Sequence, residues 1–321
     1  MRKPPVKEKR LDSLNRRLYH TRQPKGKEII LTPTDIIRLE FLHRHGDLPT
    51  RFIHEYTKEL VTNERSTVYR LGHLFHEDDT GWEGPLIDRP PQQWAGQEKP
   101  NKNQLVHRAS RHAIKALQHA GRFHEDVPKT SSKDNWKHDF MRACYTASVD
   151  LAATEKPDEY GFIHHDTVIR NAIKTTGSEP VFEAGGENFR PDALFGIQYK
   201  KEELINLFAV EIDRGTEDIK ITAKNKDGKS IEKSLKQYRE YIKTGKYKKY
   251  FPEVNSFMLI TITVSYRRAK NMKKVADDEP FFLFNWMPGF DFFMTPPKPM
   301  PHFFTEGNAR SGHPEFNIST P

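Results

Sequence analysis

The chain has 321 residues, of which 30% are charged, with a net charge of +8 and a mean hydropathy of −0.81. It lacks any run of about 18 apolar residues, so no segment reads as a membrane span, and the basic N-terminus lacks the apolar core of a secretory signal. The only cysteine, Cys144, excludes an internal disulfide and a cysteine-built zinc site, so residence in the cytoplasm is expected.

Residues 1–27 carry ten Lys and Arg against Glu8 and Asp12, so this stretch alone holds the net charge of the chain. Its composition predicts a disordered basic arm. Such an arm either contacts nucleic-acid phosphates, releasing their counterions, or is a solvated leader.

Residues 28–125 form the next predicted domain. LTPTDIIRLEFLHRHG reads as a helix capped by Thr32, with Pro33 at its first position, an apolar set of Ile36, Ile37, Leu39, Phe41 and Leu42, and Gly46 as its stop. A second helix is expected near Leu48, Pro49 and Thr50. A third follows Asn63, with Val68, Leu71, Leu74 and Phe75 facing inward. A turn-rich stretch, a strand-like LVHRAS and the helix RHAIKALQHAG complete the unit. Three short helices and a hairpin-like extension make the pattern of a winged helix-turn-helix, whose third helix enters the major groove. Arg65, Ser66, Thr67 and Arg70 are then the outward candidates, since hydroxyls bond phosphates and arginine reads guanine. A helical adaptor that binds protein is the competing reading.

Residues 126–290 read as a second, α/β domain with a mixed central sheet. The expected order is the helix WKHDFMRACYTASVDLAA, a strand around YGFIHHDTVIRN, the strands PDALFGI and FAVEIDR, the helix SIEKSLKQYREYI, the apolar strand SFMLITITVSY, the helix RRAKNMKKVADDE and the strand PFFLFNW. Residues 291–321, rich in Pro and Phe, read as an irregular wrap or tail.

The chemistry is expected where PDALFGI and FAVEIDR meet. Side by side, Asp192 and Glu211 make a site for a hard divalent cation, Mg²⁺ or Mn²⁺, which takes oxygen ligands. Asp213 lies two residues beyond Glu211 on the same strand face and is a candidate third ligand. His138, Asp139 or Asp150 on the preceding helix, or Glu183 and Glu187 in the loop before Asp192, are candidates to complete the site. His164, His165 and Asp166 read as structural, because adjacent strand residues face opposite ways. Eleven basic residues against three acidic ones over 220–250 make a surface suited to a DNA backbone, with Lys224, Lys226, Lys229, Lys246, Lys248 and Lys249 as its candidates.

The pair RPD and VEID resembles the P-D…(D/E)-x-K nucleases, in which a metal held by two acids activates water against a phosphodiester. Asp213 stands where that pattern has lysine. Relatives that draw the lysine from the following helix make Lys236 the candidate replacement, with Lys233 one turn away. Gln237 and Tyr241 resemble the Q-x-x-x-Y motif of one nuclease branch and share a helix face. These implications make Asp192, Glu211, Asp213, Lys236, Gln237 and Tyr241 the candidate catalytic set.

The order LTPTDIIRLEFLHRHG, VHRASRHAIKALQHAG, KHDF, RPDALF, VEIDRGTE and LKQYREY, over about residues 30–265, resembles the replication-relaxation family of plasmids, phages and transposons. The resemblance implies a winged helix joined to a P-D…(D/E)-x-K-like domain. It also implies binding to double-stranded DNA and work alongside other replication, transfer or transposition proteins. The function it leads to is a metal-dependent DNA endonuclease, or else a non-catalytic accessory factor on a nuclease scaffold.

Overall fold

The structure is a computed structural model, and it describes residues 21–94, 105–122, 135–221, 230–287 and 297–321. It is a mixed α/β protein that divides into two compact units, Met1–His124 and Glu125–Pro321.

In the first unit, α1 (Pro33–His45) starts at Thr32, whose side chain and that of Asp35 bond reciprocally to each other's backbone N–H. This capping box satisfies two amides that the helix end would leave unpaired. A two-residue strand, β1 (Leu48–Pro49), precedes α2 (Thr50–Tyr56), so the second helix starts later than expected. Proline lacks the amide a helix interior needs, but it fits an extended position that leads into one. α3 (Glu64–His76) is capped by Asn63. β2 (Ile87–Asp88) and β3 (Val106–Ala109) complete a three-stranded antiparallel sheet in the order β1-β3-β2, and α4 (Arg111–His119) follows, capped by Ser110. Leu39, Phe41, Leu42, Phe52, Ile53, Leu71 and Leu74 fill the core.

Order begins before residue 28. Arg22 bonds the Ile87 carbonyl at 2.8 Å, pairs with Asp88 and lies over the Phe75 ring. The Lys25 amide donates to Glu77 at 2.7 Å. Residues 22–27 are therefore docked on this unit, which corrects the expectation of disorder through residue 27. Residues 1–20 lie outside the described residues.

The second unit opens with α5 (Trp136–Thr154). The stretch expected as one strand splits into β4 (Tyr160–Ile163) and α6 (His165–Thr176). Val168, Ile169 and Ala172 recur at helical spacing there, and Gly177 closes the helix at φ 76°, a left-handed conformation that glycine adopts at no steric cost. A hairpin of β5 (Phe182–Ala184) and β6 (Glu187–Phe189) leads to β7 (Ala193–Tyr199) and β8 (Leu204–Asp213). α7 (Ile231–Lys243), β9 (Ser256–Thr263), α8 (Tyr266–Lys273) and β10 (Phe282–Trp286) follow. The sheet order is β10-β9-β8-β7-β4, parallel across β8-β9-β10 and antiparallel across β8-β7-β4.

Side-chain alternation sends the two sheet faces to different partners. Leu194, Leu207, Ala209, Phe257 and Leu259 pack with Leu235, Tyr238 and Tyr241 of α7. On the other face Phe195 stacks on Phe208 and lies near Tyr145 of α5. Residues 297–321 wrap this unit: α9 (His302–Thr305) buries Phe303 and Phe304, and Tyr199 donates to the Ile318 carbonyl at 2.6 Å.

Candidate functional site

Cross-strand register builds the site. Ala193 pairs with Val210 and Leu194 with Ala209, so the next step outward sets Asp192 opposite Glu211. Directly opposed residues share a sheet face, here the α7 face. Glu211 in turn pairs with Thr261 of the parallel strand β9. Asp192, Glu211 and Thr261 accordingly line one cleft of about 230 Å³ with His138, Arg190, Arg214 and Glu217.

Each acid is held by one oxygen. Asp192 Oδ2 accepts from the Ile212 amide at 2.8 Å and lies 3.0 Å from His138 Nε2. Arg142 bonds the Asp192 carbonyl at 3.2 Å. Glu211 Oε1 accepts from the Tyr238 hydroxyl at 2.6 Å. Asp192 Oδ1 and Glu211 Oε2 bond to no described residue. Burial and then the negative charge of Asp192 push the Glu211 carboxyl up to about 8, against the pull of the Tyr238 hydrogen bond. Hydrogen bonds to Asp139 and Asp192 lift the His138 imidazole to about 9 in spite of its burial. Two acids crowded this way carry an electrostatic cost that a bound cation relieves. Their donor set, two carboxylates with one unengaged oxygen each, fits a hard cation.

The other expected members lie differently. Asp213 is 2% exposed and locked to Arg268, which pairs with it through Nε and donates from a second nitrogen at 2.8 Å. Thr263 donates to it at 2.6 Å and the Gly215 amide at 3.1 Å. Both Asp213 oxygens are thus bonded within the protein, although the residue lines the same cleft as Asp192 and Glu211. Lys236 bonds Glu232 at 2.9 Å, and Lys233 bonds Glu187 at 2.9 Å. Gln237 also donates to Glu187, at 3.2 Å. Neither lysine lines the cleft; Ser234 and Leu235 of the same helix do. Tyr241 is buried among Phe182, Phe189 and Phe257. The tyrosine that reaches the acids is Tyr238, three residues earlier, which sequence reasoning missed.

Glu183 and Glu187 face Lys246 and Lys233. His165 Nδ1 accepts from the Leu194 amide at 3.2 Å, and His164 lies 3.5 Å from Asp150. Lys246 and Lys248 follow the far end of α7, about 20 Å from its cleft end by the helical rise. Lys246 there faces Glu183 and Glu240, and Lys248 bonds the Val254 carbonyl. Both side chains are thus bonded within this unit, and neither lines the cleft of the acids. Lys224, Lys226 and Lys229 lie outside the described residues.

In the first unit, Arg65 and Ser66 are exposed on α3. Thr67, expected to face outward, is fully buried, 3.2 Å from both Arg38 and His54. Arg70, also expected outward, grips Asp35 through two nitrogens and donates to the Ile30 carbonyl at 2.7 Å. Val68, expected inward, is 47% exposed, and Tyr69 is 64% exposed.

Residues 39–254 match the pattern of the replication-relaxation family. The chain belongs to that family. Membership makes this replication-relaxation protein a replication-associated one, and among the described residues no helix is long and apolar enough to cross a membrane. The matched range takes in Asp192, Glu211 and Tyr238 but ends before Arg268. No curated protein and no solved structure matches the chain.

Proposed function

We propose that this replication-relaxation protein is a metal-dependent DNA endonuclease of a plasmid, phage or transposon. The observation that carries the reading is the acid pair: Asp192 and Glu211 oppose each other at the ends of paired strands, in one cleft, each with an unengaged oxygen. Those oxygens would hold Mg²⁺ or Mn²⁺, which supplies Lewis acidity toward water and phosphate when bound. His138 and the Ile212 amide fix the orientation of Asp192, and the buried Tyr238 hydroxyl fixes that of Glu211. Glu211 sits within β8 and Asp192 immediately before β7, so the packed sheet keeps them in register for the substrate.

DNA selection falls to the first unit. Three helices with a small antiparallel sheet, β1 between α1 and α2 and β2 and β3 after α3, suit a winged helix with α3 as the groove-reading element. Arg65 and Ser66 on its open face suit base and phosphate contacts.

One observation favours a second reading, a non-catalytic accessory factor that binds DNA during replication. Asp213, at the usual lysine position, is neutralised internally, and Lys233 and Lys236 are bonded away from the acids. Supercoiled plasmid incubated with the purified protein and Mg²⁺ or Mn²⁺ decides between them. The nuclease reading expects cutting that Asp192→Ala and Glu211→Ala each abolish with little change in DNA affinity. Tight binding without divalent-dependent cutting of duplex, nicked or single-stranded DNA makes it the accessory factor.

A further inference from the structure

The cleft that holds the acids is also lined by two arginines, Arg190 and Arg214. Arg190 precedes Pro191 and Asp192, and Arg214 follows Asp213, so both are anchored at strand ends beside the acid pair. The cations nearby are engaged elsewhere. Arg268 is spent on Asp213, Arg142 on the Asp192 carbonyl, and Lys233 and Lys236 on glutamates of their own surroundings. Arg190 and Arg214, by contrast, pair with no described residue, although Asp192, Glu211 and Glu217 line the same cleft.

A guanidinium within reach of carboxylates ordinarily forms a forked pair with one of them. Two that do not, lining one cleft, remain available to an anion from outside. The planar fork of arginine matches the oxygens of a phosphate diester. The acids alone would repel such a group, so a phosphate that approaches them needs cations at the cleft rim.

We propose that Arg190 and Arg214 are the phosphate-holding pair of this site, gripping a DNA phosphate beside Asp192 and Glu211 and supplying the positive charge that a lysine at position 213 would have brought. The assignment rests on the acid pair being the metal-binding centre.

The test uses the full chain in three assays: affinity for a fluorescein-labelled DNA duplex in Ca²⁺ across a salt series, Mn²⁺ binding without DNA, and plasmid cutting in Mg²⁺. Arg190→Ala/Arg214→Ala is expected to keep the wild-type melting temperature and to bind Mn²⁺ at least as well as wild type. Its salt slope should fall by about two, at roughly 0.9 for each phosphate no longer neutralised. Cutting should fall about 10²–10³-fold, the scale set by removing a charge-stabilising donor. Arg190→Lys/Arg214→Lys keeps the charge but not the fork, so it should regain the salt slope and only part of the cutting. Lys156→Ala/Lys201→Ala removes as much charge near Glu159, at the other end of β7, and should leave cutting at the wild-type level. A double alanine variant with unchanged DNA affinity and salt slope overturns the assignment. If the wild type binds no Mn²⁺, the metal reading falls, while the salt series still decides the arginines.

Discussion

Asp213 shows how a single residue reads differently once its partners are known. From the strand alone it is an acid two positions past Glu211, a third ligand or a replaced lysine. In the folded chain it closes a half-buried ion pair with Arg268, 55 residues later, with Thr263 and the Gly215 amide completing its bonds. Breaking a fully buried pair from one side leaves an uncompensated charge and costs about 3–5 kcal/mol, an upper bound here because water reaches Arg268. Asp213→Lys adds a second cation against Arg268 and should lower stability clearly in denaturant unfolding, with Asp213→Asn milder. A lysine variant of wild-type stability with altered cutting would assign Asp213 to the reaction. Asp192 and Glu211 were legible because register follows from two short strands joined by a tight turn. The partner of Asp213 was not, since pairing over that distance depends on β9 lying parallel to β8. Tyr238 was missed for a smaller reason. It and Tyr241 are three residues apart on one helix, and spacing alone does not say which points at the strand ends and which into the core.

At the level of elements, α3 carries the same lesson about helical phase. Its existence and its Asn63 cap could be read from the sequence, but its orientation could not. The buried network of Arg38, His54, Thr57 and Thr67 rotates Thr67 inward, and Asp35 holds Arg70 against α1. That rotation leaves Arg65, Val68, Tyr69 and Gly72 on the open side. A Cβ on Gly72 would meet nothing within 4 Å, so no packing inside the protein requires glycine there. A glycine inside a helix costs about 1 kcal/mol relative to alanine. A partner that approaches the helix backbone would account for it. Arg65→Ala and Tyr69→Ala should weaken DNA binding at an unchanged melting temperature, by about 1–3 kcal/mol where the side chain touches a base. Arg70→Ala should lower the melting temperature instead. Gly72→Ala should raise stability and weaken binding together. If Gly72→Ala and Tyr69→Ala bind every duplex as the wild type does, α3 faces something other than a DNA groove.

At the scale of the whole chain, charge rather than packing separates the contributions. The net charge of +8 is accounted for by residues 1–27, and three of the ten cations there, Arg22, Lys25 and Lys27, belong to the segment docked on the first unit. The other seven lie in residues 1–20. Cations on such a segment act on DNA through counterion release, which depends on salt and is indifferent to sequence. Removing residues 2–20 should therefore weaken binding to all duplexes alike, lower the salt slope by up to about six at roughly 0.9 for each phosphate neutralised, and leave any preference among sequences unchanged. Melting temperature should hold, because the bonds of Arg22 with Ile87 and Asp88 and of Lys25 with Glu77 survive the cut. Extending the deletion through residue 27 removes those bonds and should destabilise the first unit as well. The two truncations thus separate the electrostatic share of the arm from its structural share. Salt titrations by fluorescence anisotropy, run beside thermal melts, read both. A salt slope unchanged by the shorter truncation would make residues 1–20 a solvated leader and would leave DNA affinity to the folded units.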